Sequence, residues 1–121
     1  MFSFERLSLL VAGLLGAAGV AAAAAAAHIG NDPLLAPLAL VALTHAPALL
    51  ALALHAPAAR LMRIATALLA LGAVVFCGEL GFHYLTGSAA LTPVAPFGGG
   101  ALIAGWLVLA VSALIDPRRA A

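Results

Sequence analysis

Four long apolar runs, separated by short stretches that hold eight of the nine Arg, Asp and Glu side chains, leave this 121-residue chain few ways to fold. Each run is about twenty residues long, which at about 1.5 Å per residue is one crossing of a bilayer. A soluble domain of this size would need a charged surface several times larger than nine Arg, Asp and Glu side chains supply, and 66% of the residues are apolar. The apolar excess must face lipid. No run alternates with the period of two that marks a barrel strand. The expected fold is therefore an all-α integral membrane four-helix bundle. It forms a single transmembrane domain over 1–121, with helices at about 5–27, 34–55, 62–85 and 93–115.

The punctuation between the runs supports these limits. The first run, Leu7 to Ala27, ends in seven alanines and is flanked by Arg6 and His28. It is too long for a secretory signal peptide, the rival reading that Arg6 and the many A-x-A sites would otherwise invite. Asn31-Asp32-Pro33 is a helix-start signal, with a side-chain oxygen to cap free amides and a proline where a missing N–H costs nothing. The second run then continues to His55 and stops at Ala56-Pro57, with Pro47 inside it as an expected kink. The third runs from Ile64 to Tyr84, and Gly87 after Thr86 supplies a left-handed stop. Thr92 as a cap and Pro93 at the first position open the fourth, which ends at Asp116-Pro117-Arg118-Arg119.

All five basic residues are arginines, at 6, 60, 63, 118 and 119, and four crossings put every one of them on the same side. The other two loops, Ile29 to Pro33 and Gly87 to Thr92, hold no Arg or Lys. By the positive-inside rule both termini and the middle loop are expected to be cytoplasmic. A net charge of +1 provides no basic patch, so nucleic acid is not an expected partner. The single cysteine, Cys77, lies in an apolar stretch and reads as a packing residue.

In lipid the hydrophobic effect cannot draw helices together, and close approach through small residues must contribute instead. Gly13, Gly16 and Gly19 with the polyalanine narrow the first helix, Gly72, Gly78 and Gly81 the third, and Gly100 with Ala104 the fourth. None of these glycines forms a phosphate loop or dinucleotide fingerprint, since no strand precedes them.

Several segments, in order along nearly the whole chain, resemble a known family. They are Gly-Ala-Ala-Gly-Val to Ala-His at 16–28, Thr-His-Ala-x-Ala-Leu-Leu at 44–50, Phe-Cys-Gly at 76–78, Leu-Thr-Gly at 85–87, and Thr-Pro-Val-Ala-Pro-Phe-Gly-Gly to Ala-Gly-Trp at 92–106. Together they are similar to the YgdD-type small bacterial inner-membrane proteins, catalogued as a domain of unknown function. The resemblance implies a compact four-helix protein of the bacterial cytoplasmic membrane and assigns no activity. Two positions depart from the family pattern: Glu79 stands where a small hydroxyl residue is usual, and Gly81 where an aromatic is usual.

The polar residues within the runs are the candidates for function. A carboxylate in a membrane helix costs about 2.5–3.5 kcal/mol on insertion scales, so Glu79 needs a partner, and His83 lies one turn away on the same face. A structural polar contact near the outer interface is preferred over a proton relay or metal-ligand pair. His28, Asp32, Glu79 and His83 all fall in the outer part of the proposed topology and form a weak candidate metal set, without a signature spacing. His45, in mid-helix and two residues before Pro47, reads as a buried neutral imidazole bonded to a neighbouring helix, with the Leu43 carbonyl freed by the proline nearby. A transport role is the alternative for it. His55, Tyr84 and Trp106 read as interfacial or packing residues.

Three readings of function follow. The first is a non-enzymatic structural or accessory subunit of a larger membrane assembly or a homo-oligomer, in contact with the lipid bilayer and needing no cofactor. The second is a small transporter or proton-conducting protein using His45, Glu79 and His83. The third is a membrane metal or redox site at His28, Asp32, Glu79 and His83. No nucleophile is visibly paired with a base and an oxyanion donor set, so catalytic residues are not expected.

Overall fold

The computed structural model describes residues 3–30, 32–55 and 59–115. The chain forms four α-helices, α1 (Phe4–Ile29), α2 (Leu35–Leu54), α3 (Arg60–Thr86) and α4 (Ala95–Ile115), with a 3-10 turn over Thr92–Val94 leading into α4. No strand occurs among the described residues. Each of the four spans is long and apolar enough to cross a membrane. The 20 residues of α2 match a hydrocarbon core of about 30 Å, whereas α1 and α3, with 26 and 27 residues, extend past it into the headgroup region.

Burial orders the helices. In α2 and α3, 44% and 39% of the apolar span is buried, against 22% in both α1 and α4. The centre of the bundle is thus α2 and α3, with α1 packed chiefly on α2, α4 chiefly on α3, and only a short contact between α1 and α3. The architecture is two helical hairpins set side by side. Leu49, Leu69 and Thr66 are fully buried at its centre, and the Thr66 hydroxyl is satisfied by donating to the Met62 carbonyl at 2.7 Å. Ser8, Thr44, Thr86 and Ser112 likewise donate to a carbonyl of their own helix, as lipid surroundings require.

The two hairpins are held by different contacts. Between α3 and α4 the backbones themselves meet: a Cβ built at Gly72 would lie 2.9 Å from the Gly98 carbonyl oxygen and the Leu102 nitrogen, and one at Gly98 would lie 2.8 Å from the Phe76 nitrogen. Gly105 makes room for the Leu69 side chain. The glycines that bring α4 onto α3 are therefore Gly98 and Gly105, and the expected contribution of Gly100 is not made, because that position faces open space. Between α1 and α2, Gly19 receives the side chains of Leu43 and Ala42, and Gly16 lies 3.8 Å from the Ala46 methyl. Gly13 and Gly78 meet nothing.

The helix ends follow local chemistry. Ser3 Oγ accepts from the Arg6 amide at 3.2 Å and caps α1. The Arg63 guanidinium sits 4.9 Å from the Phe4 ring centroid, which brings the starts of α1 and α3 together at the end of the bundle that carries Arg6 and Arg60. Asp32 Oδ1 accepts from the Leu34 amide at 2.8 Å, so Pro33 and Leu34 form a turn and α2 begins at Leu35. Pro47 lies within α2, which is continuous from Leu35 to Leu54. Gly87 takes the left-handed conformation at φ 72°, and its N–H closes α3 on the His83 carbonyl at 2.8 Å. Asn31, the Ala56-Pro57 stop and the arginines at 118 and 119 lie outside the described residues.

Candidate functional site

Halfway through the membrane span, His45 and Trp106 form a polar contact between α2 and α4. Helices α2 and α4 enter from the same side, and the two residues sit at matching depth, ten positions past Leu35 and eleven past Ala95. Trp106 Nε1–H donates to His45 Nε2 at 3.0 Å, with ring centroids 5.8 Å apart. Because indole only donates, His45 Nε2 must be the unprotonated nitrogen, and Nδ1–H then donates to the Val41 carbonyl at 2.8 Å. Both ring nitrogens are occupied, and a second proton on the ring would displace the indole. The carbonyl that His45 uses is that of Val41, one turn back.

The second polar locus lies near the C-terminal end of α3. Glu79 is 4% exposed, and its Oε1 accepts a 3.2 Å bond from the Thr92 hydroxyl. Thr92 is thereby diverted from its expected role as the α4 cap: the 3-10 turn precedes α4, and the hydroxyl is spent on the neighbouring helix. His83 Nδ1 approaches the same oxygen at 3.9 Å, an electrostatic distance beyond hydrogen-bond range, and the imidazole is 29% exposed. Glu79 thus pins the end of α3 to the entry of α4.

The remaining candidates are scattered. His28 is exposed in the last turn of α1, Asp32 is engaged in the turn before α2, and His55 is exposed at the end of α2. Among the described residues no group of three or more His, Cys, Asp and Glu side chains converges as a metal site, so His28 and Asp32 do not join Glu79 and His83 in one ligand set. Cys77 is buried in the apolar core, its Sγ 3.9 Å from the Leu38 carbonyl.

Two cavities flank α3. The larger, about 530 Å³, is an apolar cleft where α1 and α3 diverge over α2, bordered by Ala18, Ala21, Ala22 and Ala25 on one wall and Gly78 and Gly81 on the other. The smaller, about 370 Å³, lies between α3 and the entry to α4, beside Glu79.

An all-α bundle of four membrane-length helices, with two polar side-chain pairs bridging its elements and the serine and threonine hydroxyls of the α-helices bonded within their own helices, defines a small helical membrane protein. Residues 15–99 match the family described as a protein of unknown function, DUF423, and the chain belongs to that family, as the resemblance of its motifs implied. The matched segment includes His45, Glu79, His83 and Thr92 and ends before Trp106. No curated protein and no solved structure matches the chain.

Proposed function

We propose that this protein is a non-enzymatic packing subunit of the bacterial cytoplasmic membrane, acting in a homo-oligomer or a larger membrane assembly. The apolar cleft between α1 and α3 carries this reading. Its facing walls carry Ala18, Ala21, Ala22 and Ala25 on one side and Gly78 and Gly81 on the other, between larger leucine and valine side chains, so an incoming helix can approach closely along the small residues, the condition under which van der Waals packing drives association in lipid. The Arg63 contact with Phe4, which gathers Arg6, Arg60 and Arg63 at one end, supports an orientation with that end in the cytoplasm.

Native mass spectrometry from lipid nanodiscs, together with crosslinking in cells, tests the assembly. The expected result is an oligomer or a defined complex that dissociates in Ala21→Trp, a substitution that fills the cleft from its outer wall. A wild-type chain that stays monomeric and partnerless in lipid would sink the reading. The proton-conducting alternative has less support, because His45 already uses both ring nitrogens.

A further inference from the structure

The smaller cavity has a composition that packing does not explain. Its walls are Val74, Val75, Gly78 and Phe82 from α3 with Leu91 and Val94 from the α4 entry, all apolar, and Glu79 is the one ionisable side chain among them. Phe82, Leu91 and Val94 are exposed on the outer surface of the bundle, so the cavity opens sideways, toward lipid. A carboxylate in apolar surroundings is stabilised by a cation or a proton far more than by one neutral hydroxyl. Among the described residues, His83 is the only basic side chain within 4 Å of it, while Arg6, Arg60 and Arg63 stand at the opposite end of the bundle. An acyl chain would fill the volume and offer the carboxyl oxygens no polar or charged partner. We infer that this cavity binds a hydrophobic monocation, a single positive centre carried on an apolar body, which enters from the bilayer and rests against Glu79 with Phe82 supplying an aromatic wall. This goes beyond the packing role and does not depend on it.

The test uses the full chain in phosphatidylcholine nanodiscs with radiolabelled tetraphenylphosphonium, and the isosteric anion tetraphenylborate as the control. Saturable binding of the cation at one site per chain is expected, weakened by about tenfold or more in Glu79→Gln, with the anion showing only partition into lipid. Val75→Trp fills the cavity while leaving Glu79 and Thr92 in place, and it should abolish the saturable component. Non-saturable uptake by the wild type, equal binding by Glu79→Gln, or equal competition by tetraphenylborate each overturns the inference. Should Glu79→Gln lose its helical circular dichroism, the Val75→Trp protein decides alone, and retained binding there overturns it.

Discussion

The two hairpins solve the same problem by different means. In α3/α4 the backbones of Gly72 and Gly98 approach so closely that any side chain would strike main-chain atoms, and the Thr92–Glu79 bond fastens the end that carries the connecting loop. In α1/α2 the close neighbour of Gly19 is the flexible Leu43 side chain, no side-chain hydrogen bond crosses the seam among the described residues, and alanines and leucines share the packing. The first arrangement is rigid because its limit is backbone geometry. The second yields in larger part by rotating one leucine, with the Ala42 methyl, 3.1 Å from a Cβ at Gly19, left to shift only slightly. Lipid makes both workable, since neither depends on expelling water.

The contrast can be broken most directly at the glycines. Gly98→Ala should cost about 2–3 kcal/mol, in the upper range for overpacking, because the Phe76 backbone has no means of retreat. Gly19→Ala should cost less than half of that. Unfolding in mixed micelles measures both, and equal losses would erase the distinction between the seams. A smaller effect, about 1–2 kcal/mol, is expected for Thr92→Val, which removes the described hydrogen-bond donor to a buried carboxylate. Hydrogen exchange should then rise at Leu91–Ala95 and remain unchanged in α1; a uniform rise would show that the bond supports the whole bundle. The hydrogen bond between α2 and α4 is weaker still. A double-mutant cycle on His45→Leu and Trp106→Phe should give a coupling of about 0.6 kcal/mol, typical of interhelical hydrogen bonds in membranes, and a value near zero would remove the contact from the energetics. The smallest effect belongs to Gly100→Ala, which meets open space and should stabilise α4 by about 0.5 kcal/mol through lower backbone entropy in the unfolded chain.

Much of the fold was legible because hydropathy and punctuation act locally. Four apolar lengths and the glycine stop at Gly87 each depend on neighbours in sequence, and the helices form close to where those signals place them, although Asp32 holds a turn ahead of α2 instead of capping the helix itself. Which glycines face a partner was not legible. Gly98, Gly99 and Gly100 are chemically identical in sequence, and only the rotation of α4 about its axis, fixed by long-range packing, selects Gly98. Glu79 was legible as a residue that needs a partner, but the i+4 rule pointed to His83, whereas the hydrogen bond comes from Thr92 across the corner. Counting from the corner fails to pair these two, because Glu79 lies seven residues before the end of α3, about 10 Å along its axis, whereas Thr92 stands at the entry to α4. The same count, applied to α2 and α4, would have paired His45 with Trp106.

That last pair has a practical consequence. Trp106 is the sole tryptophan of the chain, so the intrinsic ultraviolet emission of the protein comes chiefly from the residue that bridges the two hairpins. The seam carries its own optical reporter. Separation of α2 from α4, whether by a partner helix, a lipid or a denaturant, exchanges an imidazole acceptor for another environment at the indole N–H, and the emission spectrum registers it without any added label.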